Sequence, residues 1–285
     1  MSAVLPTPSD AEPTALYGGR KKGRVTVRDI AEAKRRGEKW PMLTAYDCMT
    51  ASIFDRAGIP VLLVGDSAGM VVFGHESTLP VTVDELIPLT SAVVRATEHA
   101  MIVADLTFGS YQTGVAEALT SAARFLKESG AHAIKLEGGR RVEAQARALV
   151  EAGIPVMGHL GLTPQSVNTF GGYRVQGRGE AGEELMADAK ALEAAGAFSV
   201  VLECVPAELA QRITDALSIP TIGIGAGGGC DAQVLVWQDM AGLTERPAKF
   251  VKKYADLATV LTDATRAFAD DVVSGAFPAP EHSYR

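Results

Sequence analysis

Short apolar runs alternate along this chain with longer segments in which apolar residues recur at helical spacing. Five of the runs share one form, a helix end followed by a short apolar strand and then by polar or glycine residues: RAGIPVLLVGD, ESGAHAIKLEG, EAGIPVMGHLG, AAGAFSVVLEC and LSIPTIGIGAG. Glycine at a helix end suits the left-handed cap, and a proline soon after it prevents the helix from continuing. Near-continuous apolar strands are typical of a parallel sheet that is covered on both faces.

The remaining runs extend this pattern to seven or eight strands. PMLTAYD and MIVADLTFG are predicted as two further strands, and QVLVWQDM as an eighth. Helical segments such as VDELIPLTSAVVRATEHA and GVAEALTSAARFLKESG lie between the strands. Strands that alternate with helices of this length predict βαβ units. This number of units favours a (β/α)8 TIM barrel over an open, doubly wound sheet.

The domain organisation follows from the absence of a linker between these units. We predict a single barrel domain over residues 23–285, with helices at its C-terminal end. The preceding residues, 1–22, contain prolines and no helical or strand pattern, and we predict a disordered tail there. The last stretch, from LTERP to GAFP, is predicted to form helices that close the barrel and contribute to an oligomer contact.

Composition narrows the functional classes. The 285 residues are 47% hydrophobic and 21% charged with a net charge of −7, which suits one large core and argues against a nucleic-acid or anionic-membrane binder. No apolar run approaches about 18 residues, so we expect no membrane span. The N-terminal residues lack the apolar segment of a secretory signal. The three cysteines are scattered, which predicts neither a zinc site nor a disulfide framework and suggests the reducing cytoplasm.

Polar residues recur where the predicted strands end, and in a TIM barrel these C-terminal ends form the active site. The candidates in chain order are Asp66 and Ser67, Asp105, Lys135 and Glu137, His159, and Glu203. Lys135 and Glu137 lie two residues apart on one strand, so both side chains project to the same face. The carboxylates of Asp66, Asp105 and Glu137 form a set of hard oxygen ligands that suits Mg²⁺ better than zinc. Lys135 would hold an anionic substrate.

Each candidate also has a purely structural explanation. Asp66 could cap the following helix, Lys135 and Glu137 could form a buried ion pair, and His159 could be a core histidine with its hydrogen bonds satisfied. Glu203 could begin a surface loop, with Cys204 simply packed beside it. Five neighbouring strands that end in such groups at the same phase favour the functional explanation, because concentrated carboxylates destabilise a barrel unless a cation binds.

Two other motifs have local interpretations. GIGAGGG, from Gly223 to Gly229, follows a strand but lacks the spacing of a dinucleotide-binding loop, so we predict a tight loop on the barrel rim. Thr82 and Glu85 fit a capping box at the start of a long helix.

Several long motifs, taken together, resemble the ketopantoate hydroxymethyltransferase family: VGDSAGMVVFGHESTLPVTVDEL, IKLEGG, GHLGLTPQS, LECVP and GIGAGGGCDAQVLVWQDMAGL. The resemblance runs from about Val25 to the C-terminus. It implies a TIM barrel of the phosphoenolpyruvate/pyruvate type, Mg²⁺ as cofactor, 5,10-methylenetetrahydrofolate as co-substrate, and a homo-oligomer that is typically a decamer.

The resemblance also implies residue roles. Asp66 and Asp105 would be the magnesium ligands, and Glu137 would complete the metal site directly or through water. Ser67 and Lys135, with the two aspartates, would contact the 2-oxo acid.

The implied base is Glu203, and His159 would lie near the substrate. Glu203 would remove the C3 proton of 3-methyl-2-oxobutanoate, and C3 would then attack the one-carbon unit of the folate to give 2-dehydropantoate, in the first step of pantothenate biosynthesis. Two alternatives stay open: a Mg²⁺-dependent 2-oxo-acid lyase or mutase of the same barrel type, and a non-enzymatic scaffold. Such lyases usually carry a reactive cysteine motif on a mobile loop, and we find none in this sequence.

Overall fold

The computed structural model describes residues 15–17 and 23–284, and eight parallel strands form a closed barrel within them. The strands are β1 Trp40–Thr44, β2 Val61–Val64, β3 Met101–Asp105, β4 Ala133–Glu137, β5 Val156–Gly161, β6 Ser199–Glu203, β7 Thr221–Ile224 and β8 Ala232–Leu235. Each strand pairs with the next in sequence, and β8 pairs back with β1. The predicted (β/α)8 barrel is confirmed, including its eighth strand.

The helices surround this barrel and connect its strands. Those in the described part of the chain are α1 Val27–Arg35, α2 Cys48–Arg56, α3 Ala68–Val71, α4 Val83–Arg95, α5 Val115–Arg124, α6 Glu143–Glu151, α7 Val167–Phe170, α8 Ala181–Ala194, α9 Ala207–Ala216, α10 Trp237–Met240 and α11 Leu257–Ser274. α5 continues as a π-helical turn over Phe125–Ser129, and 3₁₀ turns cover Arg140–Val142, Pro164–Ser166 and Pro280–His282. The capping box predicted for α4 is confirmed: Thr82 Oγ1 accepts from the Glu85 amide, and Glu85 accepts from the Thr82 amide.

The barrel interior contains one layer of the core. Alternate strand residues point inward, and they pack with the buried face of α1, which covers the end of the barrel where the strands begin. Ile30 and Ala33 of α1 contribute to this cluster with Trp40, Met42 and Val61. The larger cluster lies outside the barrel, between strands and helices. Both strand faces are therefore buried, which explains the continuous apolar runs in the sequence.

The prediction that the C-terminal helices close the barrel is wrong. The pairing of β8 with β1 closes it, through Trp40 opposite Ala232. α11 has no buried residue, and its apolar side chains include Phe268, 58% exposed, and Val273, 88% exposed. An amphipathic pattern shows that a helix has a face to bury, but it does not show which surface that face meets.

The predicted N-terminal tail lies mainly outside the described residues. Within residues 15–17, Leu16 is buried in the interior core cluster. In the part of the chain that the structure describes, no helix has the length and hydropathy needed to cross a bilayer.

Candidate active site

The C-terminal rim of the barrel brings the sequence-predicted residues together. Along β3, β4 and β5 the inward phase that buries Val103, Ala133 and Met157 continues to polar positions at the strand ends. The side chains at these ends, with the residues after β2 and at the end of β6, line one cavity: Asp66, Ser67, Asp105, Lys135, Glu137, His159 and Glu203. Because side chains alternate along a strand, apolar groups lie in the barrel interior and ionisable groups lie at its C-terminal rim.

Asp105 and Lys135 form a buried ion pair at this rim. They face each other in the register of β3 and β4, and Lys135 Nζ lies 2.7 Å from Asp105 Oδ1. The backbone N–H of Asp66 donates to the other oxygen, Asp105 Oδ2, at 3.0 Å. A side chain at Gly65 would lie only 2.7 Å from Ser67 Oγ and 3.2 Å from Asp105 Oδ2, so a glycine there lets the turn bring Asp66 beside Asp105. The structural alternative of a Lys135–Glu137 pair is not what the register produces.

His159 connects this pair to the remaining two carboxylates. Its Nδ1 lies 3.3 Å from Lys135 Nζ and 3.2 Å from Glu137 Oε1, and its Nε2 lies 3.2 Å from Glu203 Oε2. The two carboxylate contacts are ion-pair separations without hydrogen-bond geometry. An unbroken line of charged groups therefore runs from Asp105 to Glu203. His159 is part of this line and is not an isolated core histidine.

The pKa shifts of the rim residues reflect their burial and an excess of negative charge. Burial, together with the charges of Asp105 and Glu137, raises the pKa of Asp66 well above its usual range. Burial also raises the pKa of Asp105 against the opposing charge of Lys135. Burial acts to raise the pKa of Glu137, but its contacts with His159 and Lys135 outweigh that effect and lower it. For His159, burial and Lys135 act to lower the pKa, and the contacts with Glu137 and Glu203 prevail and raise it to about 9.

Ser67 and Asp66 occupy the turn between β2 and α3. Ser67 is the N-cap of α3 but its side chain makes no capping hydrogen bond, and its Oγ instead lies 2.7 Å from Tyr46 Oη. Asp66 does not cap the helix, which removes the structural alternative for that residue. Burial raises the pKa of Tyr46, so its hydroxyl remains a neutral hydrogen-bonding group beside Ser67.

The sequence reasoning missed Gln165, which lies in the 3₁₀ turn after β5. Its Nε2 donates to Asp66 Oδ2 and to the carbonyl of Leu106, both at 2.9 Å, and its Oε1 accepts from Tyr111 Oη at 2.7 Å. Its backbone N–H donates to Glu137 Oε2 at 3.0 Å. One residue thus fixes two of the predicted metal ligands. Its only signal was a polar residue in a loop, which is too common to single it out.

The cavity over these residues has a volume of about 530 Å³. Its base is formed by the strand-end groups. Its mouth includes Tyr173 and Arg174 from the loop before α8, and Arg246, Lys249 and Phe250 from the segment between α10 and α11. This volume lies within the usual range for pockets that bind small molecules and cofactors.

The donor set fits a hard divalent cation. Among the described residues no three His, Cys, Asp or Glu side chains form a complete metal cluster, but Mg²⁺ commonly takes one or two carboxylates and fills its shell with water and substrate oxygens. Asp66 and Asp105 supply two adjacent carboxylates. Asp105 Oδ1, beyond its ion pair with Lys135, and Glu137 Oε1 are buried without a hydrogen-bond partner in the described part of the chain. A cation here would also offset the negative charge that raises the pKa of Asp66.

Comparisons with known proteins agree on one family. The sequence model described as ketopantoate hydroxymethyltransferase matches residues 24–280. A protein of Thermobifida fusca named 3-methyl-2-oxobutanoate hydroxymethyltransferase is 67% identical over 285 residues, which is 100% of both chains. A protein of the same name from Streptomyces coelicolor is 64% identical over 99% of this chain and 98% of its own length.

Solved structures with the same architecture are more distant in sequence. Phosphonopyruvate hydrolase in complex with oxalate and Mg²⁺ matches with a TM-score of 0.58 and 12% identity over 90% of this chain and 92% of that one. 2,3-Dimethylmalate lyase, a member of the PEP mutase/isocitrate lyase superfamily, matches with a TM-score of 0.54 and 17% identity over 91% and 92%. At these identities the likeness shows the fold alone, and it agrees with the predicted (β/α)8 barrel.

Proposed function

The chain belongs to the ketopantoate hydroxymethyltransferase family, and we propose that it transfers a one-carbon unit from 5,10-methylenetetrahydrofolate to C3 of 3-methyl-2-oxobutanoate, with Glu203 as the base. The products are 2-dehydropantoate and tetrahydrofolate, and one water supplies the new hydroxyl group. This is the pantothenate-pathway reaction for which its full-length relatives are named.

The observation that carries the role of Glu203 is its exposure relative to the other carboxylates. Its side chain is 17% exposed and lines the cavity, whereas those of Asp105 and Glu137 are 3% and 2% exposed. A base must reach a substrate proton, and Glu203 alone among these three is both open to the cavity and outside the Asp105–Lys135 pair. The Nε2 of His159 lies 3.2 Å from Glu203 Oε2 and places a cationic ring beside this carboxylate.

Asp66 and Asp105 would hold Mg²⁺, and Glu137 would complete the site directly or through water. Bound Mg²⁺ would withdraw charge from the keto group and acidify the C3 hydrogen. Lys135 supplies a fixed positive charge for the negative charge that develops on the oxo acid. Ser67, oriented by Tyr46, offers a hydroxyl to the same substrate.

Proton exchange at C3 tests the base and the metal together. NMR of 3-methyl-2-oxobutanoate in D₂O with protein and Mg²⁺, without folate, should show loss of the C3 proton signal. Glu203→Gln keeps the shape of the side chain and should slow exchange by roughly a hundredfold or more, as expected for removal of a general base. Exchange at the wild-type rate in Glu203→Gln would assign the base to another residue.

We also propose that the enzyme is a cytoplasmic homo-oligomer, with a decamer as the expected size. All three cysteines are free, in keeping with a reducing compartment. The exposed apolar side chains of α11 would be covered in an oligomer. Sedimentation of the full chain and of a chain that ends at residue 255 tests this proposal. An unchanged assembly size after the deletion would exclude α11 from the contact.

A further inference from the structure

We infer that the mouth of the active-site cavity is the folate subsite, where Arg174, Arg246 and Lys249 bind the anionic glutamate tail and Tyr173 and Phe250 contact the planar rings. This inference rests on the proposed function, because that function supplies the folate. It assigns residues to the binding of folate, for which the sequence offered no candidates.

The cavity divides into two regions of opposite charge. Carboxylates dominate its base, where Asp66, Asp105, Glu137 and Glu203 lie, and the principal cations there are Lys135 and His159. The tail of a folate carries carboxylates, which the base would repel. The mouth adds three cations to the lining of the same cavity. A dianionic tail is therefore directed outward, and the reactive rings toward Glu203.

The three mouth cations have no acidic partner among the residues that the structure describes. In the described part of the chain, the side chains of Arg174, Arg246 and Lys249 make no ion pair and no hydrogen bond. Several other surface arginines are paired with carboxylates, as Arg140 is with Glu184 and Asp188. In a protein with a net charge of −7, unpaired cations gathered at the mouth of a cavity attract an anionic ligand.

Each of the two aromatic residues is adjacent in sequence to one of these cations. Phe250 follows Lys249, and its ring lies against Gly225 at the end of β7, where an added Cβ would approach Phe250 Cδ1 to 2.8 Å. Tyr173 precedes Arg174, and it is 54% exposed with its hydroxyl 3.7 Å from Met70 Sδ. Burial, with the charges of Glu203 and Asp66, raises the pKa of Tyr173, so this ring lies near the reacting groups. Flat aromatic faces at a cavity mouth suit the pterin and aminobenzoyl rings of folate.

The size of the cavity supports two ligands. A branched 2-oxo acid is much smaller than the drug-sized molecules that occupy pockets of about 530 Å³. With the oxo acid at the base beside Lys135, the remaining space lies between the base and the mouth residues. A second, larger substrate has to enter through that space to bring its one-carbon unit to C3.

The test compares two charge-matched variants of the full chain. Arg246→Gln/Lys249→Gln removes two cations from the mouth. Lys252→Gln/Lys253→Gln removes two cations from the same segment that do not line the cavity. Steady-state kinetics with Mg²⁺ would give separate KM values for the oxo acid and for 5,10-methylenetetrahydrofolate, as the monoglutamate and the triglutamate.

The mouth variant should raise the KM for folate about tenfold, since an exposed charge pair contributes up to roughly fivefold in affinity. The rise should be larger for the triglutamate, which carries more carboxylates, and the KM for the oxo acid should change less than twofold. The control variant should leave both KM values within twofold of wild type. An equal rise in the two variants would mean general electrostatic attraction and would overturn the assignment, as would an unchanged KM for folate in the mouth variant.

Failure of the proposed function would look different. Wild-type protein that exchanges the C3 proton but shows no turnover with either folate would overturn both the transfer reaction and the subsite. Folate-dependent turnover, with no Mg²⁺-dependent C3 exchange in the folate-free assay, would overturn only the view that enolisation occurs as a separate step. In that case the KM comparison would still decide the subsite.

Discussion

Our first prediction concerns Gln165, whose side chain and backbone contact the buried carboxylates of the site. Gln165→Leu keeps the approximate size of the side chain and removes all of its polar contacts. Asp66 Oδ2 and the Leu106 carbonyl each lose a donor at 2.9 Å. Tyr111 Oη loses its acceptor at 2.7 Å but retains the Glu137 carbonyl at 3.2 Å. The backbone N–H of residue 165 still reaches Glu137 Oε2.

The magnitude follows from which of these groups are left unpaired. A lost hydrogen bond to a buried carboxylate costs about 1.5–3 kcal/mol, and a lost neutral bond costs about 0.5–1.5 kcal/mol. Because Tyr111 retains one partner and the leucine restores some apolar packing, we expect a net loss of about 3 kcal/mol. For a chain of this size that corresponds to a fall in Tm of roughly 6–12 °C.

Gln112→Leu is the matched control. Gln112 donates to Gln165 Oε1 at 3.0 Å and touches neither Asp66 nor Leu106, so its replacement should lower Tm by no more than about 3 °C. Thermal unfolding followed by circular dichroism, at equal protein concentration for all variants, measures both values. A Gln165→Leu protein whose Tm lies within the range of the control would refute the view that Gln165 stabilises the carboxylate cluster.

Two further changes examine the metal site and the backbone beneath it. Asp105→Asn keeps an acceptor for the Asp66 amide but loses a charge, so the Mg²⁺ concentration for half-maximal C3 exchange should rise at least tenfold; an unchanged metal titration would remove Asp105 from the ligand set. Gly161→Ala should cost about 3 kcal/mol or more, because φ is +91° and the new Cβ would lie 2.2 Å from the Glu203 carbonyl oxygen. Gly153→Ala, with φ of +83° and open space, should cost about 1 kcal/mol, and equal urea midpoints for the two would contradict the clash.

The sequence was most informative where a local pattern decides the structure. Asp105, Lys135 and Glu137 continue the inward phase of apolar strands, so their convergence follows from the period of two once a closed parallel barrel is assumed. Gln165 could not be predicted in this way, since its contact with Asp66 joins residues far apart in the chain and depends on the path of a loop.

The position of α11 was missed for a related reason. Its apolar residues indicate a face that could be buried, but none of its residues is buried against its own barrel. The mouth cations Arg174, Arg246 and Lys249 come from two segments outside the regular βα pattern, where charge in the sequence carries no directional information.

The pairing of Trp40 with Ala232 also has a consequence for how the protein folds during its synthesis. The sheet cannot close until its last strand has left the ribosome, so most of the chain must wait in an open form whose β1 edge is unpaired. Contacts between such remote residues are slow to form. α11 is synthesised afterwards, and none of its residues is buried. Closure of the barrel depends on β8, and we expect a chain that ends before α11 to complete its barrel as well.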